Sequence, residues 1–177
     1  DFVRVYERDK SPPPAVFTNG GFELQNGSLK NWSTFGNKQP ELPNVQIHNE
    51  AVSDGAGALK LFGQFNNEVN HSGVQQAITV AAGDSLSATV KTFVRSADSI
   101  AGTSNQLELK FDYYRQPSGK YGSSTYIGSK SLTVADGNVT NDQWHSHKLT
   151  DTAPEGAVEA RVSLVFTQPK NEQGAVY

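Results

Sequence analysis

The sequence predicts an all-β fold, on three observations. Apolar residues recur with period 2 and nowhere sustain a 3.6-residue period. Gly, Asn, Asp and Pro punctuate the alternating runs at short intervals. No stretch approaches the roughly 20 apolar residues that a membrane-spanning helix needs. About eight to ten short strands with regular turn signals describe a sandwich or a barrel.

Taken in order, the first fourteen residues stand apart. Asp1 to Arg8 alternates as a strand, and Pro12-Pro13-Pro14 follows as a stiff spacer that cannot join a sheet interior. Residues 1–10 are therefore expected to be the last strand of a preceding domain, 11–15 a proline-rich linker, and 16–177 the sandwich. Weaker strand signals lie at 44–49, 57–63 and 73–80. Ser85 to Ser96 then alternates clearly, with Leu86, Ala88, Val90, Thr92 and Val94 opposite Thr89, Lys91, Phe93 and Arg95. The cleanest run is Leu107 to Tyr114, where Leu107, Leu109, Phe111 and Tyr113 share one face and Glu108, Lys110, Asp112 and Tyr114 the other. Weaker signals return at 123–134 and 143–150. Ala160, Val162, Leu164 and Phe166 form a last inward row opposite Arg161, Ser163, Val165 and Thr167. Asp54-Gly55, Gly83-Asp84, Ser118-Gly119, Asp136-Gly137 and Glu155-Gly156 mark turns between the runs.

Composition narrows the function classes. The 177 residues include no Cys, which excludes a disulfide scaffold, a thiolate zinc site and a cysteine nucleophile. They include no Met either, so Asp1 is expected to be an internal position of a longer chain. A formal charge of −3 without a basic stripe argues against nucleic-acid or anionic-membrane partners. Charged residues are 19%, below the usual quarter, and Asn, Gln, Ser and Thr make up the difference. Such a surface suits hydrogen bonding more than electrostatic steering.

Two resemblances meet in this chain. Asp1-Phe2-Val3-Arg4-Val5-Tyr6 resembles the closing strand of family 16 glycoside hydrolase catalytic domains. From residue 17 onward the chain resembles carbohydrate-binding modules of the family 4, 16 and 22 group. The resemblance rests on Asn19-Gly20-Gly21-Phe22-Glu23, Leu29-Lys30-Asn31-Trp32, Asp54-Gly55-Ala56-Gly57-Ala58-Leu59-Lys60-Leu61 and Trp144-His145-Ser146-His147-Lys148-Leu149. It closes on Ala153-Pro154-Glu155-Gly156 through Val162 and on Gly174-Ala175-Val176-Tyr177. It implies a jelly-roll β-sandwich of two antiparallel sheets, with a concave face that binds polysaccharide, covalently joined to an enzyme that cuts the same material. A monomer, secreted or extracellular and of bacterial source, is expected. The family usually continues past Gly-Ala-Val-Tyr into a stretch with adjacent aspartates.

The same resemblance implies a structural Ca²⁺ held by Glu23, Asp54 and the carbonyl of Gly57, hard oxygen donors of the kind calcium prefers. Glu23 and Asp54 could equally be turn and cap residues.

Sugar binding needs flat apolar faces and planar polar groups. Phe93 and Tyr114 are expected as platforms, with Lys91, Arg95, Lys110 and Asp112 beside them. Phe65 and Asn66 at a rim, Tyr121 and Tyr126 in another segment, and Gln168 past the last inward row complete the set. Trp32 and Trp144 are expected to be structural, and His145 with His147 to be packed or solvated, no third metal ligand lying near. No catalytic grouping is expected. Glu108 and Asp112, four residues apart on one strand, would stand about 13 Å apart, too far for glycoside hydrolysis. The expectation is thus noncatalytic binding of a β-1,3-glucan such as laminarin. The alternatives are a red-algal galactan (agar, porphyran or carrageenan), whose sulfates would meet Lys91, Arg95 and Lys110, or a ligand-free structural sandwich in which Phe93 and Tyr114 form a domain interface.

Overall fold

The structure, a computed structural model, describes residues 16–25, 27–36, 43–115 and 125–177. The N-terminal strand and proline linker expected at 1–15, and Tyr121, lie outside the described residues. The described residues form ten strands and no α-helix: β1 (Ser33–Phe35), β2 (Val45–His48), β3 (Ala58–Phe62), β4 (Asn70–Thr79), β5 (Ser85–Phe93), β6 (Gln106–Tyr114), β7 (Tyr126–Ala135), β8 (Trp144–Thr152), β9 (Glu159–Gln168) and β10 (Ala175–Val176). A single 3₁₀ turn, Ser96–Asp98, ends the run that begins with β5.

Alternation sets which side chains go inside. In β6, Leu107, Leu109, Phe111 and Tyr113 are buried and the residues between them are half-buried. β9 contributes Ala160, Val162, Leu164 and Phe166 to the same interior. The two strands pair antiparallel from Gln106↔Thr167 to Tyr114↔Glu159, so the apolar rows lie side by side. The five-stranded sheet runs β1-β4-β9-β6-β7, with all pairings antiparallel.

Facing it is a second sheet made of two parts. One part is β10-β3-β2 and the other β5-β8. One residue pair joins them: the Phe93 amide donates to the Tyr177 carbonyl at 2.8 Å, and the Tyr177 amide donates to the Phe93 carbonyl at 2.9 Å. The resulting order is β8-β5-β10-β3-β2. Its inward residues Leu86, Leu149, Leu59, Leu61, Val45 and Val176 meet Val74, Leu109, Phe111 and Leu164 of the five-stranded sheet in one apolar cluster. This is the β-sandwich that the alternation predicts.

Away from the Phe93–Tyr177 pair, the edges of β3 and β5 lie on either side of a cavity of about 370 Å³ lined by Phe22, Leu59, Leu61, Val90, Leu107 and Leu164. A second cavity of about 440 Å³ lies further along β5, against Phe17, Trp32 and Leu109. The segment before β1 packs against this side of the core. Phe17 stacks on Phe111 with ring centroids 6.3 Å apart. Trp32 packs against Phe22 at 5.5 Å and donates its indole N–H to the Asn19 carbonyl at 2.9 Å. The structural role expected of Trp32 is the one it has. Gln76 anchors the segment further, accepting from the Thr18 amide at 2.7 Å and donating to the carbonyls of Thr18 and Asn31, both at 2.9 Å.

Candidate functional site

The outer face of the five-stranded sheet is the polar complement of its apolar inner face. The register places residues in rows across the strands. One row runs Phe35–Gly73–Val165–Glu108–Thr133, the next Ser33–Gln75–Ser163–Lys110–Ser131, the next Ala77–Arg161–Asp112–Ser129, and the last Thr79–Glu159–Tyr114–Tyr126. Successive rows along a strand are two residues apart, or roughly 7 Å, so the rows span about 20 Å.

Arg161 organises one end of this face. Its guanidinium carbon sits 3.9 Å from the centroid of the Tyr114 ring, and its Nε donates to Glu159 Oε1 at 2.7 Å. Both side chains are largely buried, which favours a fixed geometry over a solvated one. Lys110 and Asp112, two residues apart on β6, pair at 2.9 Å. Burial opposes the Lys110 charge, but the hydrogen bond to Asp112 and the carboxylate's charge outweigh it and raise the lysine's pKa. Burial has the opposite effect on a phenol and raises the pKa of Tyr114, so the hydroxyl keeps its proton. Tyr126, 52% exposed, meets Tyr114 edge-on at 5.9 Å and donates to Ser129 Oγ at 2.9 Å.

A third aromatic, Phe35, closes the opposite corner. A Cβ on Gly73 would lie 2.8 Å from Phe35 Cζ and 1.9 Å from the Leu164 carbonyl oxygen. The missing side chain of Gly73 is therefore what lets the Phe35 ring lie over the sheet. Two cations (Lys110, Arg161) and three carboxylates (Glu108, Asp112, Glu159) share the face, so charge is nearly balanced. Planar donors and acceptors set between aromatic rings can hold a polyhydroxylated chain by stacking and hydrogen bonding.

The expected site residues do not all converge here. Lys110, Asp112, Tyr114 and Tyr126 lie together on this face. Lys91, Phe93 and Arg95 lie on the outer face of the other sheet. There Phe93 is half-buried against Ala51, Phe62, Ala175 and Tyr177. Arg95 is bound to Glu50, which also accepts from the Tyr177 hydroxyl at 3.2 Å. Trp144, expected to be structural, packs against Phe93 on that outer face, with ring centroids 5.1 Å apart and the planes tilted by 41°. Phe65 and Asn66 sit in the β3–β4 loop.

Gln168 corrects the expectation that it reaches a hydroxyl. It is wholly buried, its Oε1 accepting from the Phe65 amide at 3.0 Å and from Asn70 Nδ2 at 2.9 Å, while its Nε2 donates to the Glu172 carbonyl at 2.8 Å. It is a loop anchor.

Glu23, Asp54 and Gly57 do come together, at the mouth of the cavity between β3 and β5. Yet Glu23 accepts from the amides of Ala56 at 2.8 Å and Gly57 at 3.4 Å, so it closes the 54–57 turn. Two carboxylates and one carbonyl offer at most five oxygens, and both Glu23 oxygens face N–H donors. Calcium takes six to eight. Water or further carbonyl oxygens would complete a calcium shell at these residues. Among the described residues no three His, Asp or Glu side chains form a metal-holding group. His145 and His147 are neighbours on β8, both half-buried, with ring centroids 6.4 Å apart.

Arg161, Glu159, Gln75 and Phe35 are site residues that the sequence did not nominate. Alternation in β9 does put Arg161 outward. What it could not supply was the register that sets Arg161 opposite Asp112 and next to Tyr114.

The fold is that of known carbohydrate-binding β-sandwiches. The chain is similar to a family 16 carbohydrate-binding module (module 2) at 17% identity and a TM-score of 0.53, covering 90% of this chain and 92% of that one. It is similar to TmCBM61, solved in complex with β-1,4-galactotriose, at 14% identity and a TM-score of 0.51, covering 93% and 92%. A third likeness is to the C-terminal family 22 carbohydrate-binding module of Clostridium thermocellum Xyn10B, at 18% identity and a TM-score of 0.51, covering 93% and 91%. The sequence matches no protein-family model and no curated protein.

Proposed function

We propose that this domain binds polysaccharide without cutting it, on the outer face of the five-stranded sheet, and holds an attached family 16-like glycoside hydrolase at its substrate. The observation that carries the reading is the Arg161–Tyr114 stack beside the Lys110–Asp112 pair: an aromatic and a guanidinium, fixed by partners, on a sheet face about 20 Å long. A preformed surface of this kind loses little freedom on binding. Tethering raises the enzyme's effective concentration at the polymer and needs no new catalytic contact. The ligand we favour is a β-1,3-glucan such as laminarin, because residues 1–6 resemble the closing strand of family 16 hydrolases. That the domain is secreted and monomeric, with a structural Ca²⁺ at Glu23, Asp54 and the Gly57 carbonyl, is part of the proposal.

A galactan is the second reading, favoured by the β-1,4-galactotriose that the similar TmCBM61 holds. Its sulfated form now rests on Lys110 and Arg161, since Lys91 and Arg95 face the other way.

Affinity electrophoresis in gels containing laminarin, agarose or carrageenan separates these readings. Laminarin should retard the domain, and Arg161→Ala or Tyr114→Ala should weaken that retardation at least about tenfold, as loss of an anchor residue does. Retardation by agarose or carrageenan alone would favour the galactan. No retardation in any gel, or full retardation of both variants, would refute the assignment of this face. Hydrolysis of any of the three polymers by the isolated domain would refute the noncatalytic claim.

A further inference from the structure

The loop that presents Phe65 is built in a way that folding alone does not require. Phe65 is an aromatic residue 38% exposed to solvent, with a backbone φ of +50°, in the left-handed region where bulky side chains are uncommon. Its amide is held by Gln168, which is itself locked inside the protein by Asn70 and the Glu172 carbonyl. Gly63 makes room for that glutamine: a Cβ there would stand 2.0 Å from Gln168 Cδ. Buried polar bonds thus maintain a strained conformation whose effect is to keep a phenyl ring on the surface.

The ring borders a cavity of about 460 Å³ on the outer side of β3 and β2, lined by Phe62, Phe65, Gln46, Asn171, Gln173 and the Lys60–Asp98 ion pair. Phe62 continues the apolar surface, its ring 6.2 Å from that of Phe65 and tilted by 33°. Three side-chain amides supply donors and acceptors. Lys60 and Asp98 are 3.3 Å apart and neutralise each other. An apolar floor, planar amides and no net charge select a neutral, polyhydroxylated ring over an anion.

We propose that this cavity is a second carbohydrate-binding site, centred on Phe65, which takes one or two neutral pyranose units. It lies on the opposite sheet from the Arg161–Tyr114 face, so one domain could hold two glycan segments and gain from both. The proposal takes its ligand class from the carbohydrate reading above but uses none of the same residues.

Titration of ¹⁵N-labelled protein with laminarihexaose and, separately, with β-1,4-galactotriose tests it. The expected result with at least one sugar is a group of shifting amides around Gly63, Phe65 and Gln173, distinct from any group around Tyr114 and Arg161. Phe65→Ala should weaken the first group at least tenfold and leave the second unchanged. Phe65→Gly should do the same while keeping or raising Tm, because glycine relieves the left-handed backbone; this separates binding from structural support. Shifts at the Arg161 face alone would overturn the second site and spare the first. Shifts at the Phe65 loop alone would establish the second site and overturn the first. Silence at both with both sugars would overturn both.

Discussion

His147 shows how a single residue can make the sandwich pH-sensitive. Thr92 donates its hydroxyl to the Val134 carbonyl at 3.2 Å, so its oxygen is left to accept from His147 Nε2 at 3.3 Å. Burial, and then the neighbouring His145, push the His147 pKa below its ordinary value. The unfolded chain therefore binds a proton that the folded chain resists. This histidine's contribution to stability is fully present above about pH 6.5 and is lost as pH falls from there toward the lower folded pKa. Urea unfolding at pH 7.5, 6.5 and 5.5 should show a falling midpoint, and His147→Gln should flatten that fall. A variant with the same acid-side slope as the parent would show that another group titrates. At this scale the sequence was most readable where alternation was strict. Phe111, inward by that rule, is fully buried, and Phe111→Ala should cost about 3–5 kcal/mol in the same assay.

Elements were legible in proportion to their length. β6, expected at 107–114, spans 106–114, and β9, expected at 160–167, spans 159–168. β1, with three residues, is too short to display a period, and it is β1 that brings Phe35 to the site. The run from Ser85 stops at Phe93 because the chain turns at Ser96–Asp98. Which sheet a strand joins is set by long-range pairing, and this is why Phe93 and Tyr114, both outward by alternation, face opposite sides of the molecule. Gly73 carries a prediction at this level. Any side chain there meets the β9 backbone at Leu164 before it meets anything that can move. Gly73→Ala should therefore destabilise the domain by about 1–3 kcal/mol, beyond the strand-propensity gain alanine would bring, and should weaken glycan binding by displacing Phe35. Thermal unfolding together with affinity electrophoresis checks both parts, and unchanged values in either would show that the sheet absorbs the methyl group.

At the scale of the whole molecule, the two sheets are unequally joined. The five-stranded sheet is continuous, with ten residue pairs in its β4–β9 ladder alone. In the facing sheet, among the described residues, β5 and β8 hydrogen-bond to the remaining strands only through Phe93 and Tyr177. A two-stranded ladder fastened to its sheet at one end behaves as a separable cooperative unit. Native-state hydrogen exchange should therefore find the β5 and β8 amides opening at lower free energy than those of β4, β6 and β9, with Phe93 and Tyr177 the slowest of the seam. Equal protection across both sheets would show that core packing alone clamps the β5–β8 pair. The seam also has a colloidal consequence. Among the described residues, β5 has no strand partner beyond β8 from Ser85 to Lys91, and this backbone edge beside an apolar cavity is a template for another chain's strand. The isolated domain, a monomer when dilute, should thus self-associate as its concentration rises. A charged substitution on that edge, such as Thr89→Lys, is the change that would keep it dispersed.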